Sequence, residues 1–277
     1  MVLGANSTGS SWPRKGWRMG ELKVSVHDGI ALALMSNTKR HNAQDTALHA
    51  DLCDFWARLR SDDSLQVAVL AGDGDTAFSV GADLKEAAEA YGAGEAPNSP
   101  RRTLGYPHLH PTGKIVIAAI NGYCLAGGLL TALGCDMRFC SASATFANPQ
   151  VKRGRGSRVP MLLQRAGVPL AVTVDMAITG QGIDARRAYD VGLVSRVYDD
   201  KDALIAGAMS VAAQIMQNSP RAVNAVKKAL EAGILDWPMV LAERVWDQVT
   251  DAMTKDADTV RRTIEFATHG GADRHDS

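Results

Sequence analysis

Ile115-Val116-Ile117-Ala118-Ala119-Ile120-Asn121-Gly122-Tyr123-Cys124-Leu125-Ala126-Gly127-Gly128-Leu129-Leu130-Thr131-Ala132-Leu133-Gly134-Cys135-Asp136 is the stretch that decides the fold. Ile115 to Ile120 form a short, β-branched, apolar run, which predicts a buried strand. Asn121-Gly122 is a turn signal. Ala126-Gly127-Gly128 then lead into Leu129, Leu130, Ala132 and Leu133, an apolar helix. A small-residue turn between strand and helix leaves the first N–H groups of the helix free and favourable to negative charge. Glycine there admits a ligand close to the backbone. The same glycines also suit tight packing of strand on helix, and this stretch alone does not separate the two uses.

A second stretch repeats the grammar. Val67 to Leu70 read as an apolar strand, Gly72-Asp73-Gly74-Asp75 as a turn, and Gly81-Ala82-Asp83 as the opening of another helix. Two N–H groups from two such turns, aimed at one point, make an oxyanion hole. Phe78-Ser79-Val80-Gly81-Ala82-Asp83-Leu84-Lys85-Glu86, followed by Asn121-Gly122-Tyr123-Cys124-Leu125-Ala126-Gly127-Gly128, resembles the paired signature of the crotonase (enoyl-CoA hydratase/isomerase) superfamily. The resemblance runs from about Leu22 to Phe266.

The resemblance implies an α/β fold: a crotonase-type ββα spiral core with a C-terminal helical trimerisation region. It divides the chain into a flexible N-terminal extension (1–20), the core (21–200), the helical region (201–268) and a flexible tail (269–277). It also implies an acyl-CoA thioester as substrate, with coenzyme A entering as part of the substrate and no tightly bound cofactor. The N–H groups of Ala82 and Gly127 become the oxyanion hole. Lys39 and Arg40, in the Asn37 to Ala43 loop, become candidates for the CoA phosphates, and Ala43, Gly81, Asp83, Leu84 and Gly128 are expected to line the substrate. A homotrimer or hexamer is implied, built through the C-terminal helices that carry Trp237, Trp246 and Phe266.

The sequence also departs from the family. Hydratases of this kind use two glutamates to hold and activate water. At the first matching position stands Leu130, and at the second, after Pro149, stands Gln150. Neither side chain transfers a proton. His108 and His110 are candidate replacements because histidine titrates near neutrality, with His110 preferred. Arg158, within the basic run Lys152, Arg153, Arg155 and Arg158, is a candidate for holding a carboxylate; the alternative for that run is plain surface charge. Asp83 and Asp136 read as structural, and Cys124 as inert packing. The expectation is an enzyme of the lyase or isomerase class, enoyl-CoA hydratase/isomerase-like, with efficient hydration in doubt. The alternatives are a C–C hydrolase or decarboxylase on the same fold, and a non-catalytic acyl-CoA binder.

Composition supports this frame. The chain has 277 residues, 46% of them hydrophobic, enough for a sizeable core. Thirty basic and thirty acidic residues cancel, so no bulk charge points to nucleic acid or to an anionic membrane, and no apolar run reaches membrane-spanning length. The four cysteines lack metal-ligand spacing and read as reduced, buried thiols. His108-Leu109-His110 lacks a third local ligand, so no metal site is expected. Residues 1 to 20 contain Arg14, Lys15 and Arg18 and no acid. Cytoplasmic placement is expected, with mitochondrial import as the alternative such a segment raises.

In chain order, a hairpin is expected over Leu22 to Met35 around His27-Asp28-Gly29, and a helix from Asp45-Thr46 to Leu59. Ala87 to Arg102 read as a loop or short helix, Met137 to Ser141 as a strand, and Gly192 to Val197 as a last short strand. Helices are expected near 201–217, 219–232, 238–254 and 256–268.

Overall fold

The structure is a computed structural model that describes residues 20–92 and 104–234, together with Arg261, Ile264 and Glu265. The chain opens with a hairpin, β1 (Glu21–His27) and β2 (Ile30–Ser36). Asp28 and Gly29 both take positive φ, at 49° and 81°, as a two-residue hairpin turn of the right hand requires. Helix α1 (Thr46–Ser61) follows, then β3 (Val67–Gly72), β4 (Ala77–Ser79) and α2 (Leu84–Gly92). After the undescribed segment come β5 (Ile115–Ile120), β6 (Tyr123–Leu125) and α3 (Gly127–Leu133). Next are β7 (Met137–Ser141), β8 (Thr145–Ala147), α4 (Val159–Arg165), α5 (Leu170–Thr179) and β9 (Gly182–Asp184). The described chain ends with α6 (Ala185–Asp190), β10 (Arg196–Tyr198), α7 (Lys201–Met216) and α8 (Pro220–Ile234).

The strands form two sheets, one in the order β1-β2-β3-β5-β7-β10 and one in the order β4-β6-β8-β9. The pattern is a spiral. The turns through β3, β5 and β7 each give a long strand to the first sheet, then a short strand to the second, and those through β3 and β5 then close with a helix. From β2 to β10 the first sheet is parallel.

A parallel sheet needs cover on both faces, so its strands read as continuous apolar runs rather than alternating ones. On β3, Ala68 and Leu70 face the cluster with α1 residues Leu48, Leu52, Phe55, Trp56 and Leu59. Val67, Val69 and Ala71 face the opposite cluster, which α7 closes with Leu204, Ala208, Val211 and Ala212. Helix starts follow the capping rule: Asp45, Asp184 and Asp200 accept from the N–H groups of Leu48, Arg187 and Ala203.

The spiral is present, and the helices expected near 201–217 and 219–232 are Lys201–Met216 and Pro220–Ile234. The strand expected from Gly192 begins only at Arg196, because Gly192, at φ 75°, ends α6 in a turn. Ala87 to Gly92 are helical, and the rest of the expected loop lies outside the described residues. The helix expected at 238–254, most of that at 256–268, the residues Trp237, Trp246 and Phe266, and the tail at 269–277 lie outside them too. So does 1–19. Among the described residues no helix is long and apolar enough to cross a membrane. The free thiols Cys124, Cys135 and Cys140 are buried, and Cys53 is half-buried.

Candidate active site

The two glycine turns meet. The loop before α1 is pinned by Asn42, which is buried. Its Oδ1 accepts from Asn37 N–H at 2.9 Å, and its Nδ2 donates to the carbonyls of Asp73 and Ala77 at 2.9 and 2.7 Å. Asn42 and His41 hold φ of 54° and 50°, a left-handed pair for which asparagine is suited. The loop therefore runs alongside the turn at Gly81.

Gln44 N–H donates to Gly81 O at 2.7 Å, and Asp83 N–H donates to Gln44 O at 3.2 Å. These two bonds bracket Ala82 in a parallel bridge with Gln44. In that pattern the bracketed residue turns its own N–H to the opposite side. Gly81, at φ 85°, makes this reversal.

The second donor sits at the start of α3. Ala126 holds φ 49° and ψ −113°, and its N–H donates to Ala147 O, anchoring the turn to β8. Leu130 N–H closes the first helical turn onto Ala126 O, so Gly127 N–H precedes the hydrogen-bonded ladder. A Cβ on Gly81 would lie 2.5 Å from Gly127 N, and a Cβ on Gly127 would lie 3.1 Å from Gly81 Cα. The backbones touch because neither residue has a side chain. Gly128 serves packing: a Cβ there would lie 2.0 Å from Ser79 O. Among the described residues neither Ala82 N–H nor Gly127 N–H has an acceptor.

Tyr106 reaches the same place. Its hydroxyl lies 2.9 Å from the position a Gly127 Cβ would take, and Gln44 Oε1 lies 3.3 Å from it. The phenol ring is held on several sides. Gly105 N–H donates to His49 Nδ1 at 3.1 Å, and Gly105 O accepts from Trp56 Nε1 at 2.9 Å. The His49 ring meets Tyr106 edge-on, and the His108 ring stacks on it at 5.8 Å. Burial pushes the Tyr106 hydroxyl up to about 12, against the pull of nearby Arg155 and Arg158. It is a neutral hydrogen-bonding group at physiological pH.

The other expected residues fall as follows. Leu130 is buried in α3 and offers no polar atom. Gln150 lies in the 3-10 turn Pro149–Arg153, and its Oε1 is buried without a hydrogen-bond partner among the described residues. His110 was the favoured acid–base candidate, but its Nε2 lies 2.8 Å from Leu104 O and 3.6 Å from Cys53 Sγ. The His110 ring is thus engaged with α1 and Leu104, while His108 is the histidine stacked on Tyr106. Burial first, then Arg158, Arg165 and His110, drive the His108 imidazole down to about 4, so it is neutral near pH 7.

Arg40 also has another task. It pairs with Asp83 at 2.5 Å, and this near-buried carboxylate needs a counter-charge. Arg40 is half-buried against Asp83, while Lys39 is exposed. Ala43 is buried beside the bridge, and Leu84 opens α2. Asp83 Oδ1 accepts from Lys85 N–H and Glu86 N–H, a helix cap. Asp136 Oδ2 accepts from Val116 N–H and from Lys227 Nζ, a structural tie between β5 and α8. Burial raises the Cys124 thiol well above its ordinary value, which leaves it inert. Among the described residues no three His, Cys, Asp or Glu side chains group as metal ligands.

Sequence reasoning missed Tyr106 and Gln44. Neither sits in a motif with fixed spacing. The only signal was a polar residue, Gln44, directly after Asn42-Ala43 where the chain turns into the core.

The enoyl-CoA hydratase/isomerase family model matches residues 25–261. An (E)-benzylidenesuccinyl-CoA hydratase from Thauera aromatica is 37% identical over 214 residues, covering 76% of this chain and 82% of that protein. A carnitinyl-CoA dehydratase from Citrobacter koseri is 35% identical over 223 residues, covering 77% and 82%. Among solved structures, a carnitinyl-CoA hydratase from Mycobacterium avium is similar with a TM-score of 0.77 at 28% identity, covering 91% of this chain and 96% of that one. An enoyl-CoA hydratase/isomerase from Xanthobacter autotrophicus Py2 is similar with a TM-score of 0.78 at 26% identity, covering 91% and 94%. With the paired turns, the spiral and these matches together, the chain belongs to the crotonase, or enoyl-CoA hydratase/isomerase, family.

Proposed function

We propose that the protein binds acyl-CoA thioesters and catalyses a lyase-class step, hydratase/dehydratase-like in passing through a thioester enolate but slow at hydrating a simple enoyl-CoA such as crotonyl-CoA. The observation that carries this is the contact between the Gly81 and Gly127 turns, which brings two unpartnered backbone donors, at Ala82 and Gly127, to one place. Negative charge developing on a thioester oxygen there is stabilised by donors that need no rearrangement. Relatives named as hydratases and dehydratases of acyl-CoA esters support the reaction class.

The reaction proceeds here without the glutamate pair, since Leu130 and Gln150 stand at those positions. Leu130 makes the wall beside Gly127 apolar, and Gln150 can orient a ligand but not exchange a proton. Coenzyme A enters with the substrate, and no tightly bound cofactor is part of this proposal. A trimer or a dimer of trimers is the proposed assembly. Cytoplasmic placement likewise remains a proposal.

Calorimetry with acetyl-CoA and longer acyl-CoAs, followed by turnover assays on a panel of thioesters, tests the function. Binding with turnover supports the enzyme. Binding without any turnover converts the protein to an acyl-CoA binder, and no binding across the series sinks the proposal.

A further inference from the structure

Gln44 reaches both turns of the proposed hole. Its backbone holds the first. Gln44 N–H donates to Gly81 O at 2.7 Å, and Gln44 O accepts from Asp83 N–H at 3.2 Å, one bond on either side of Ala82. Its side chain crosses to the second. Gln44 Nε2 donates to Thr131 Oγ1 at 2.8 Å, and Thr131 Oγ1 donates its single proton to Gly127 O at 2.9 Å. Gln44 is 2% and Thr131 0% exposed, so bulk water does not compete for these bonds. Two hydrogen bonds in series therefore run from beside Ala82 to the carbonyl of Gly127.

The second turn needs such a tie. Gly127 N–H belongs to the peptide between Ala126 and Gly127, and ψ of Ala126 sets its direction. Ala126 stands at φ 49° and ψ −113°, a sparsely populated conformation for alanine. Strain of this kind persists only where the surroundings over-determine it. Relaxing ψ would turn Gly127 N–H out of its present direction. On one side Ala126 N–H is anchored to Ala147 O, and on the other Thr131 grips Gly127 O. Packing completes the clamp. Tyr106 OH, Gly81 Cα and Gln44 Oε1 lie 2.9, 3.1 and 3.3 Å from the position a Gly127 Cβ would take, which leaves the glycine no room to shift.

The tie carries a cost. Gln44 Oε1 is buried with no hydrogen-bond partner among the described residues. An apolar side chain of the same length avoids that cost. The amide is thus a poor choice for stability and a good one for orientation. We infer that Gln44 is a positioning residue: acting through Thr131, it fixes the direction of Gly127 N–H relative to the turn that carries Ala82. This rests on the oxyanion-hole reading of the same two turns.

The test compares wild type with Gln44→Met, Thr131→Val and the double variant, all of which keep the backbone bonds of Gln44. Turnover is followed on crotonyl-CoA, 3-hydroxybutyryl-CoA and malonyl-CoA, beside a thermal melt and amide exchange read by mass spectrometry. On whichever ester wild type accepts, Gln44→Met is expected to lower kcat about 10- to 100-fold and to change KM by less than about twofold. Its Tm is expected to hold or rise because the unpaired oxygen is gone, whereas a purely structural role predicts a fall. Exchange is expected to quicken about tenfold across Ala126 and α3 and to stay unchanged across α7. The double variant is expected to match Thr131→Val, because Gln44 acts through that hydroxyl. If Thr131→Val does not fold, Gln44→Met decides alone. An unchanged kcat in Gln44→Met overturns the inference, and so does a loss of activity that follows a loss of Tm or of the fold. Additive effects of the two single variants overturn it too. Failure of wild type to turn over any of the esters is the separate result that removes the reaction, and exchange then decides: an unchanged rate across α3 in Gln44→Met removes the tie.

Discussion

The missing side chain of Gly81 leaves the amide of Gly127 open: a Cβ on Gly81 would stand 2.5 Å from Gly127 N. Gly81→Ala therefore closes one donor of the proposed hole with a single methyl group. It also places alanine at φ 85°, at a backbone cost of about 1–3 kcal/mol. Turnover of any accepted acyl-CoA is expected to fall by a factor on the order of 10² to 10³. Steady-state kinetics beside a thermal melt checks this. Full activity in a folded Gly81→Ala protein would place the reaction elsewhere.

Crotonyl-CoA is expected to be hydrated very slowly or not at all. Each positioned acid or base typically contributes about 10² to 10⁴ in rate, and Leu130 and Gln150 supply neither. The double change Leu130→Glu with Gln150→Glu is expected to raise hydration. Leu130 is 8% exposed, so a glutamate there lowers stability, and the melt must be read beside the rate. Spectrophotometric loss of the enoyl band measures both proteins; efficient wild-type hydration would show that other groups do the proton transfer.

His108 makes stability depend on pH in a defined window. Its folded value of about 4 lies below the ordinary 6.5, so the unfolded chain binds the proton first as pH falls. The contribution is whole above about pH 6.5 and is lost progressively toward pH 4. The unfolding free energy is expected to drop by about 1–3 kcal/mol across that window through this group. Urea midpoints at pH 7, 5.5 and 4.5 measure it, and His108→Gln should flatten the step. An unchanged step in His108→Gln assigns it to another group.

Asn42→Ala removes three hydrogen bonds at once and leaves Asn37 N–H and Ala77 O buried. The expected loss is about 2–4 kcal/mol, seen as a fall in Tm of roughly 5–10 °C. Differential scanning calorimetry reads it directly. A change under about one degree would mean the loop holds without its anchor.

Helix α5 presents Leu170, Val174 and Ile178 one turn apart, with Leu170 63% and Ile178 68% exposed. Such a stripe fits burial against another subunit. Light scattering at micromolar concentration is expected to give a trimer or a dimer of trimers, and Leu170→Glu with Ile178→Glu a smaller species. A monomeric wild type would remove the assembly proposal.

The parts of the fold written in continuous apolar runs were legible in the sequence. Val67 to Leu70 and Ile115 to Ile120 are strands because both faces of the sheet are covered, and the run shows it. Asp45 announced its helix by capping chemistry, and the structure adds the same cap at Asp184 and Asp200. The second sheet was not legible: Ala77–Ser79, Tyr123–Leu125 and Gly182–Asp184 are three residues each, too short to show a period. The meeting of the Gly81 and Gly127 turns was legible because glycine marks close backbone approach. Tyr106 was not, because its place beside Gly127 depends on Gly105 packing against α1, where a Cβ would lie 2.5 Å from Leu52 Cβ. His110 drew attention by chemistry alone, and geometry gave the contact with Tyr106 to His108 instead.

The spiral has a consequence for how the chain is made. In the first sheet β2 pairs with β3, β3 with β5, and β5 with β7, so each new turn docks on the turn synthesised just before it. Parallel sheets ordinarily delay folding because distant segments must find one another. Here the search is always for the nearest completed neighbour, and assembly can advance in one direction from the ribosome. Ala82 belongs to the turn begun by β3 and Gly127 to the turn begun by β5. Both turns of the proposed oxyanion hole are therefore synthesised before β7 and the C-terminal helices. A nascent chain halted after about Met216, with α7 laid on the far face of the sheet, and cleared from the ribosomal exit tunnel should already protect the amides of β3 and β5 from exchange.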